Sequence, residues 1–520
     1  MRRLFLALLL LAGVCSAAPA ETVLNRGNGA EPDSLDPQFA GGTGEENIIG
    51  DMLVGLTTLD AAARPIPGAA ERWEVSPDGR TWTFRLRDAV WSDGVKVSAE
   101  DFVFAWRRLL DPATAARGAQ NMWVIGHARA ISAGKLPPSA LGVTAKDART
   151  LIVTLEHPAP YLPELLAGLP AMPLPRHVVA AKGAAWARAG NYVANGPYVL
   201  KEWRPNDHVT LVKNPRFYDA AQVRIDRVNY FPTSDANAAL ARYRAGELDT
   251  QNPAPVTQID WLRANLKNEL HVTPSLAIVY VAFNLGYPPL KDIRVRRALN
   301  LVYNREAIVQ KVLKLGEPPA YGYVPPGTAN YKGAAFDFRA LPYPARVAAA
   351  QKLMREAGYG AFNRLHLTFA ITTNPDSRRL AAIFQAMVRP IFVDLEITGS
   401  DLPIHLRNLR QHQFQLGAAN WYADFNDASN FLDLLRADNA SNYAGYRNPR
   451  FDALMDAAQN QPDPGKRALL LRAAEATALA DCPWLVTRFA AQSDLVKPKL
   501  RGWQPNARDF QRTRWLWLAN

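Results

Sequence analysis

The chain has 520 residues, of which 48% are hydrophobic and 21% charged, and its formal net charge is +12 at pH 7. This composition excludes a disordered chain, and the length exceeds what one hydrophobic core normally organises, so we expect two or three domains. Basic residues are spread along the whole sequence, which argues against a nucleic-acid-binding protein, because such proteins gather them into a cluster or stripe.

The first predicted element is a secretory signal peptide over residues 1–20. Arg2 and Arg3 precede an uninterrupted apolar run at 4–11, and Ala18-Pro19-Ala20 fits an A-x-A cleavage site. The apolar run is too short to span a bilayer, which favours a cleaved signal over a membrane anchor. The sequence therefore predicts an exported protein.

Two cysteines bear on the fate of this exported chain. Cys15 offers an alternative to plain cleavage, which is lipid modification, but it follows Val14, where lipoprotein signals usually carry a small residue. After cleavage Cys482 is the only cysteine left, so no internal disulfide is expected despite the oxidising destination. We expect Cys482 to be a small buried apolar side chain.

Two-residue periodicity predicts short strands in the first part of the exported chain. They cover 22–25, 82–86, 150–155 and 198–212, the last broken by a hairpin turn at 204–207. Between them, Ser98 and Asp101 have the spacing of a capping box, which predicts a helix over 102–110 that ends before Pro112. A second helix is predicted at 236–245.

Helices and strands alternate in the second half of the chain. A helix is predicted at 295–315 because apolar residues recur at helical spacing, namely Val295, Leu299, Val302, Val309 and Val312. Further helices are predicted at 345–357, 378–391 and 402–410, with strands at 365–372, 394–398 and 414–421. This alternation implies a sheet with crossover helices, so the fold class is mixed α/β with more than one lobe.

The sequence carries no motif of a zinc protease, a serine-hydrolase elbow or a phosphate-binding P-loop. His405 and His412 are the only histidines near one another, and the strand that follows them favours surface positions. The acidic stretch 424–427 lacks the glycine and glutamate of a calcium loop. We therefore predict no catalytic residue, no metal site and no cofactor. A secreted hydrolase is the alternative, since a triad can be assembled from distant residues.

Several motifs in fixed order resemble one family. The segment S-L-D-P at 34–37 is similar to a signature of extracellular solute-binding proteins of the peptide/nickel class. Further matching blocks follow in order: W-T-F-R-L-R at 82–87, W-S-D-G at 91–94, D-F-V-F-A-W at 101–106, N-G-P-Y at 195–198, Y-R-A-G-E-L-D at 243–249, D-I-R-V-R-R-A at 292–298, P-A-Y-G-Y-V-P-P at 319–326 and E-A-G-Y at 356–359. With W-Y-A-D-F-N at 421–426, the chain most resembles the oligopeptide-binding branch, to which a murein-tripeptide binder is closely related.

The resemblance implies a two-lobed, three-domain periplasmic solute-binding protein that encloses its ligand between the lobes. Domain I is then discontinuous, with parts at 21–54, 174–276 and 492–520. Domain II is the insertion 55–173, and domain III covers 277–491. The lobes are expected to rotate about crossings near Leu174 and Leu276.

The resemblance also implies a ligand site. In the oligopeptide-binding branch, an aspartate of the W-x-A-D motif pairs with the free α-amino group of the peptide, and Asp424 matches it. A carboxylate in a closed cleft is costly unless it is paired, so it selects a cationic group. The extended residues Asn420 to Tyr422 are expected to pair with the peptide main chain as an added strand. Gly41 and Gly42 match the other loop that approaches the ligand.

The chain departs from its relatives at several positions of the ligand site, including those that contact the ligand carboxylate. Their arginine three residues before the motif tryptophan is Ala418 here, their histidine that reads some ligand carboxylates is Ser377, and a glutamate of the early loop is Gly41. Arg410, which aligns loosely, is a candidate substitute for the missing cation. Both cysteines of the relatives' disulfide are also replaced, by Ala277 and Tyr422, in agreement with the single cysteine of the exported chain.

Three of the candidate residues have structural alternatives. Trp421 either lines a side-chain pocket or packs in the core. Asp424 either binds the ligand or caps a helix that starts near Asn426. Tyr280 and Asn284 either line the cleft or hold the hinge.

The predicted function is that of a non-enzymatic receptor for an ABC importer. It is expected to capture short peptides in an extended conformation and to deliver them, as a monomer, to a membrane permease with its ATPase. Alternatives with the same fold are receptors for a murein tripeptide, a dipeptide, haem or a metal chelate. No nucleic-acid partner is expected.

Overall fold

The computed structural model describes residues 21–519. The predicted signal peptide at 1–20, its cleavage site and Cys15 lie outside the described residues.

The strands follow one another along the chain as short and medium-length segments, with two long exceptions. In chain order they are β1 Val23–Gly27, β2 Thr57–Leu59, β3 Pro65–Pro67, β4 Ala70–Val75, β5 Thr81–Leu86, β6 Val143–Asp147, β7 Thr150–Thr154, β8 Tyr198–Arg204, β9 His208–Lys213, β10 Arg227–Phe231, β11 Thr250–Gln251, β12 Leu270–Phe283, β13 Leu365–Thr372, β14 Val393–Ser400, β15 Leu416–Tyr422, β16 Trp484–Val496, β17 Leu500–Arg501 and β18 Trp517–Leu518.

The α-helices are concentrated in the second half of the chain. In chain order they are α1 Thr43–Met52, α2 Ala99–Leu110, α3 Ala128–Ser132, α4 Leu162–Leu165, α5 Arg176–Lys182, α6 Ala236–Arg244, α7 Ile259–Asn265, α8 Pro288–Lys291, α9 Ile293–Val302, α10 Arg305–Ala307, α11 Tyr343–Glu356, α12 Pro375–Val388, α13 Leu402–Arg410, α14 Ser429–Leu432, α15 Pro449–Gln459 and α16 Pro464–Asp481. Among the described residues, no helix is both long enough and apolar enough to cross a bilayer.

A ten-stranded sheet runs through the molecule in the order β14-β13-β15-β12-β16-β11-β1-β10-β9-β8. β13 pairs in parallel with both β14 and β15, as the predicted strand–helix–strand crossovers require. A separate four-stranded antiparallel sheet, β4-β5-β7-β6, lies within the predicted domain II. Both sheets and their helices confirm the mixed α/β class.

Buried side chains form two large hydrophobic cores, which define two lobes. The first core runs from Leu24 to Tyr230 and includes Val496, so the predicted domains I and II share it. The second core runs from Leu276 to Phe489. We call the parts of the chain that surround these cores the first lobe and the second lobe. The two-lobed architecture is confirmed, while the domain boundaries stay a prediction.

Two long strands connect the lobes. β12 and β16 pair antiparallel across the junction, and their register shifts between Pro274 and Ile278, where β12 carries extra residues opposite Ala490. Such a bulge bends a strand pair, which makes this pair the natural hinge. The expected crossing near Leu276 lies here. Leu174, in contrast, is fully buried inside the first core, so it does not lie between the lobes.

Local sequence signals located most elements. The capping box is present, since Ser98 Oγ faces Asp101, and the Asp101 carboxylate accepts the Ser98 main-chain N–H (2.8 Å). The helix predicted at 295–315 is wrong as one element. It breaks after Val302, because Asn304 caps a new turn by accepting the N–H of Ala307 (3.1 Å). The turn continues as a π-helix at Ile308–Leu313.

Candidate functional site

β15 has an edge that is only partly paired. One edge pairs with β12 along its whole length, whereas the other pairs with β13 only at Leu416 and Gly417. From Ala418 to Tyr422, no strand among the described residues occupies that second edge. An open edge of this kind can accept an extended peptide as an added strand.

The hydrogen-bonding pattern tells which main-chain groups face this open edge. Ala423 donates its N–H to the carbonyl of Leu276 (2.8 Å), so it points towards β12. Because neighbouring residues of a strand alternate in direction, Trp421 and Ala419 also face β12, and the main-chain groups of Asn420 and Tyr422 face the open edge. Both residues have exposed side chains, and Tyr422 is 61% exposed.

Asp424 lies just beyond the end of β15 with an exposed side chain. Its main-chain N–H donates to Asn430 Oδ1 (3.4 Å), the atom that also accepts the indole N–H of Trp421 (2.7 Å). The Arg508 guanidinium donates to the carbonyl oxygen of Asp424 (2.8 Å), not to its carboxylate. Among the described residues, the Asp424 carboxylate forms no ion pair within 4.0 Å.

The electrostatic state of Asp424 reflects its surroundings, which include groups of both lobes. Surrounding protein partly removes water from the carboxylate and raises its pKa, although a hydrogen bond from Asn430, the nearby Arg508 and a hydrogen bond from Asn121 act in the opposite direction. The ionised carboxylate is therefore under-stabilised by the protein alone. A cation placed beside it would supply the missing interaction.

Asp427, three residues on, is a different kind of carboxylate. It forms a two-pronged ion pair with Arg467 (2.6 and 2.8 Å), and the two side chains are only 11% and 6% exposed. It also accepts the N–H of Ser429 (2.9 Å) ahead of α14. Asp424 therefore does not cap the next helix, whose N-cap is Ala428; the nearest carboxylate contact to its first turn comes from Asp427.

The lobes touch beside Asp424. The ring of Phe425 stacks on Tyr161 of the first lobe, with 4.3 Å between ring centroids and 14° between planes. Arg508 links Asp424 to Glu164, whose carboxylate it contacts at 2.8 Å. Next to these contacts, a chamber of about 610 Å³ lies between the lobes. The gap expected between two lobes therefore adjoins the candidate amine site.

Gly41 and Gly42 lie in the loop before α1, and both are exposed. Their N–H groups donate to the Glu45 carboxylate (2.7 and 2.6 Å), so these donors are already used within the loop. The φ angle of Gly42 is −111°, which any residue can adopt. The nearest side chain to a Cβ at Gly41 would be Arg117, at 3.5 Å. Their contact with a ligand stays a prediction.

The two residues proposed near the ligand's carboxyl end lie in different places. Ser377 is in the first turn of α12, where its hydroxyl faces Thr372 Oγ1 (3.2 Å), just past the point at which β13 parts from β15. Arg410 is exposed at the end of α13, next to Leu409, which packs over Gly417 near the start of β15. Ser377 therefore lies beyond the end of β13, and Arg410 lies beside the residue that packs on the start of β15. Their ligand contacts stay predictions.

Two aromatic candidates contribute mainly to the core. Tyr280 is 1% exposed and stacks on Trp484 at 4.1 Å, so its side chain does not line the cleft, which corrects that expectation. Asn284 donates to the carbonyls of His412 and Phe414 (3.0 and 2.7 Å) and holds a turn. Trp421 is half-buried and packs against the second core while its indole N–H positions Asn430.

The positions of the lost disulfide face each other. Ala277 of β12 is the direct cross-strand partner of Tyr422 of β15. Since Ala423 donates its N–H to the Leu276 carbonyl, Ala277 and Tyr422 occupy the neighbouring, non-hydrogen-bonded position, in which side chains approach. Cys482 is buried, as expected, and burial raises the pKa of its thiol to about 12.

His405 was missed as a residue of the site. It was expected at the surface, but it is 3% exposed and its Nε2 contacts the carbonyl oxygen of Ala418 at 2.7 Å. The histidine thus occupies the Ala418 carbonyl, which faces the open edge. Only the residues after Ala418 remain available to pair with a ligand. Its position as the fourth residue of the spatially adjacent helix α13 gave no signal in the sequence. Within residues 21–519, no group of three metal-ligating side chains is close enough to hold a metal ion.

The chain is similar in sequence to known solute-binding proteins. A model of the bacterial extracellular solute-binding proteins, family 5 (middle region), matches residues 64–443. The periplasmic oligopeptide-binding protein OppA of Escherichia coli (strain K12) is 36% identical over 486 residues, which cover 92% of this chain and 89% of that protein.

Two further relatives extend the comparison. The probable deoxycholate-binding periplasmic protein YgiS of Escherichia coli (strain K12) is 34% identical over 503 residues, 96% of this chain and 94% of that protein. The solved structure of the MppA periplasmic murein tripeptide binding protein, in its unliganded open form, is 32% identical with a TM-score of 0.86 and covers 96% of this chain and 98% of that chain. The similarity therefore spans both lobes.

Proposed function

This chain belongs to the bacterial extracellular solute-binding proteins of family 5, and from that premise we propose that it is a receptor for short peptides that serves an ABC importer. It binds an extended peptide between its lobes and performs no chemistry on it. The peptide lies along the open edge of β15, and its free α-ammonium group faces the Asp424 carboxylate.

One observation carries the proposal: an open strand edge leads directly to an exposed carboxylate that has no cationic partner in the described protein. The edge offers the main-chain groups of Asn420 and Tyr422, which pair with any peptide backbone and do not read its side chains. The carboxylate fixes which end of the peptide lies at Asp424. Together they fix the direction of the bound peptide but tolerate many sequences.

Closure of the lobes completes the proposed cycle. The peptide enters the open cleft, and the second lobe rotates about the β12–β16 junction with its bulge at Pro274–Ile278. Closure removes water from the ammonium–carboxylate pair and strengthens it. A micromolar affinity corresponds to about −8 kcal/mol, which such a pair and a few main-chain hydrogen bonds can supply after ordering costs.

The location and partners follow from the family. The relatives are periplasmic proteins, so we place this chain in the periplasm after removal of residues 1–20. The closed, loaded monomer docks on a membrane permease, whose associated ATPase supplies the energy for transport. Murein peptides and dipeptides fall within the proposed ligand class.

The unpaired carboxylate argues against a bile-acid cargo. Deoxycholate, the ligand in the name of one relative, carries a carboxylate of its own, which Asp424 would repel. The nearby guanidinium groups of Arg467 and Arg508 already serve Asp427 and Glu164. A free α-amine fits this arrangement and an organic anion does not.

Native mass spectrometry with a peptide library tests the proposed function. The purified protein is incubated with tri- to pentapeptides of mixed sequence, with the same library after N-acetylation, and with deoxycholate. We expect mass increases that match free peptides, with little binding of acetylated ones. Deoxycholate as the only bound ligand, or acetylated peptides bound as well as free ones, would reject the proposal.

The affinity for a free peptide should depend on pH through Asp424. The raised pKa means that this carboxylate takes up a proton at a higher pH than an ordinary aspartate, and the protonated form cannot pair with an ammonium group. Below that pKa, the affinity for tetraalanine should fall by up to about tenfold for each pH unit. Calorimetric titration between pH 7 and pH 4 measures the decline.

An Asp424→Asn variant is the control for this pH dependence. It lacks the titrating group, so its weaker affinity should remain nearly constant over the same range. Parallel pH profiles in the variant and the unchanged protein would assign the effect to other groups, such as Glu164.

A further inference from the structure

Contacts between the lobes form a wall directly behind the candidate amine site. The first layer of this wall is the stacked pair Tyr161 and Phe425, with ring centroids 4.3 Å apart. Phe425 follows Asp424 in the chain, yet its ring packs against the core of the first lobe. The Arg467 guanidinium lies 5.5 Å from the centre of the Tyr161 ring, and Asp427 fixes that guanidinium. Tyr161 is therefore held from two parts of the second lobe.

The second layer is an ion pair that also involves the main chain of Asp424. Arg508 donates from one nitrogen to Glu164 and from the other to the carbonyl oxygen of Asp424, each at 2.8 Å. The side chains of Arg508 and Glu164 are only 8% and 10% exposed. Because Arg508 uses both nitrogens in this way, it connects Asp424 to the first lobe without neutralising the carboxylate.

The chamber of about 610 Å³ adjoins these groups. Tyr161, Glu164 and Arg508 line it, but Asp424 and the open-edge residues of β15 do not. The other lining residues include several alanines and prolines, which leave room and offer apolar contact. A cavity of about 150 Å³ already holds benzene, so this chamber has space for a short alkyl group.

We infer that the wall formed by Tyr161, Phe425, Glu164 and Arg508 determines specificity by stopping the ligand at its α-amine. This inference rests on the proposed function, since it concerns the end of a bound peptide. Asp424 selects the positive charge of the amine, whereas the wall excludes any group attached to its nitrogen. The chamber behind the wall would hold such a group if the aromatic pair were removed.

An N-butyl peptide separates the wall from the carboxylate, because a secondary amine keeps its positive charge. The test uses tetraalanine, N-butyl-tetraalanine and N-acetyl-tetraalanine in calorimetric titrations. The unchanged protein should bind the N-butyl peptide at least about tenfold more weakly than the free one. In the double variant Tyr161→Ala with Phe425→Ala, this preference should fall to about threefold or less. The acetylated peptide should remain a poor ligand in both.

Two single variants, which disturb the packing less, keep the test informative if the double variant fails to fold. Tyr161→Phe keeps the stacked ring and should keep the full discrimination, while Phe425→Leu removes one ring and should reduce it in part. Thermal melting identifies the variants that are folded. If the folded double variant still discriminates against the N-butyl peptide, the proposed role of the wall is rejected. Failure of the unchanged protein to bind tetraalanine would instead reject the proposed function, and this inference with it.

Discussion

Replacing Asp424 with asparagine is expected to weaken the binding of tetraalanine by at least about tenfold, because the ligand ammonium loses its only carboxylate partner. The change keeps the size of the side chain. The main-chain contacts of Asp424 remain in the variant, since Asn430 accepts the main-chain N–H and Arg508 donates to the carbonyl oxygen. Isothermal titration calorimetry measures the loss, and thermal melting checks that the variant is folded.

An exposed acid of the same lobe provides the matched control. Asp438 is 66% exposed, and Asp438→Asn should leave the affinity for tetraalanine unchanged. N-acetyl-tetraalanine should bind the unchanged protein and the Asp424→Asn variant equally poorly. Equal binding of free tetraalanine by the variant and the unchanged protein would remove Asp424 from the site.

Replacing Asp427 with alanine is expected to lower the free energy of unfolding of the second lobe by about 3–5 kcal/mol. The reason is that Arg467, only 6% exposed, would keep its charge in the interior without a partner. The turn before α14 would also lose the hydrogen bond from the Ser429 N–H. Chemical denaturation followed by tryptophan fluorescence measures this loss.

A double variant tests whether the cost comes from the unpaired charge. Replacing both partners, Asp427→Leu with Arg467→Met, removes the charge along with its partner and should restore most of the stability. A loss of less than about 1 kcal/mol in Asp427→Ala would show that solvent reaches Arg467. Asp427 would then not have the structural role that its contacts indicate and that distinguishes it from Asp424.

Elements with a strong local signal could be predicted from the sequence. The strand β13 and the helix α13 have the predicted bounds, because a regular apolar period ends at clear polar or proline positions in each. The capping box of α2 was also located, since its hydrogen bonds join residues three apart in the chain. In each case the deciding interactions are local.

Predictions failed where a distant partner decides the structure. The helix predicted at 295–315 breaks after Val302, where Asn304 caps a new turn and the fully buried Arg305 donates to the carbonyl of Ala320, a contact that no periodicity records. Helix α1 was missed because glycines mark its start, where Glu45 satisfies the loop N–H groups. Tyr280 was expected at the cleft but stacks on Trp484, about 200 residues away in the chain.

The candidate site also has one part that the local sequence predicts and another that depends on distant contacts. A motif placed Asp424 and the strand before it, but the open edge exists only because β13 parts from β15 after Gly417. The contacts of Tyr161, Glu164 and Arg508 with the Asp424 segment join three distant parts of the chain, and no local pattern announces them. The site is therefore a product of the tertiary fold, built around one recognisable segment.

A crystal structure of the protein with a bound peptide from the library is the most direct test. We expect an extended peptide between the lobes, paired with the main chain of Asn420 and Tyr422, with its α-ammonium nitrogen within about 3 Å of the Asp424 carboxylate. A peptide bound in the reverse direction, or one whose amine points into solvent away from Asp424, would contradict it.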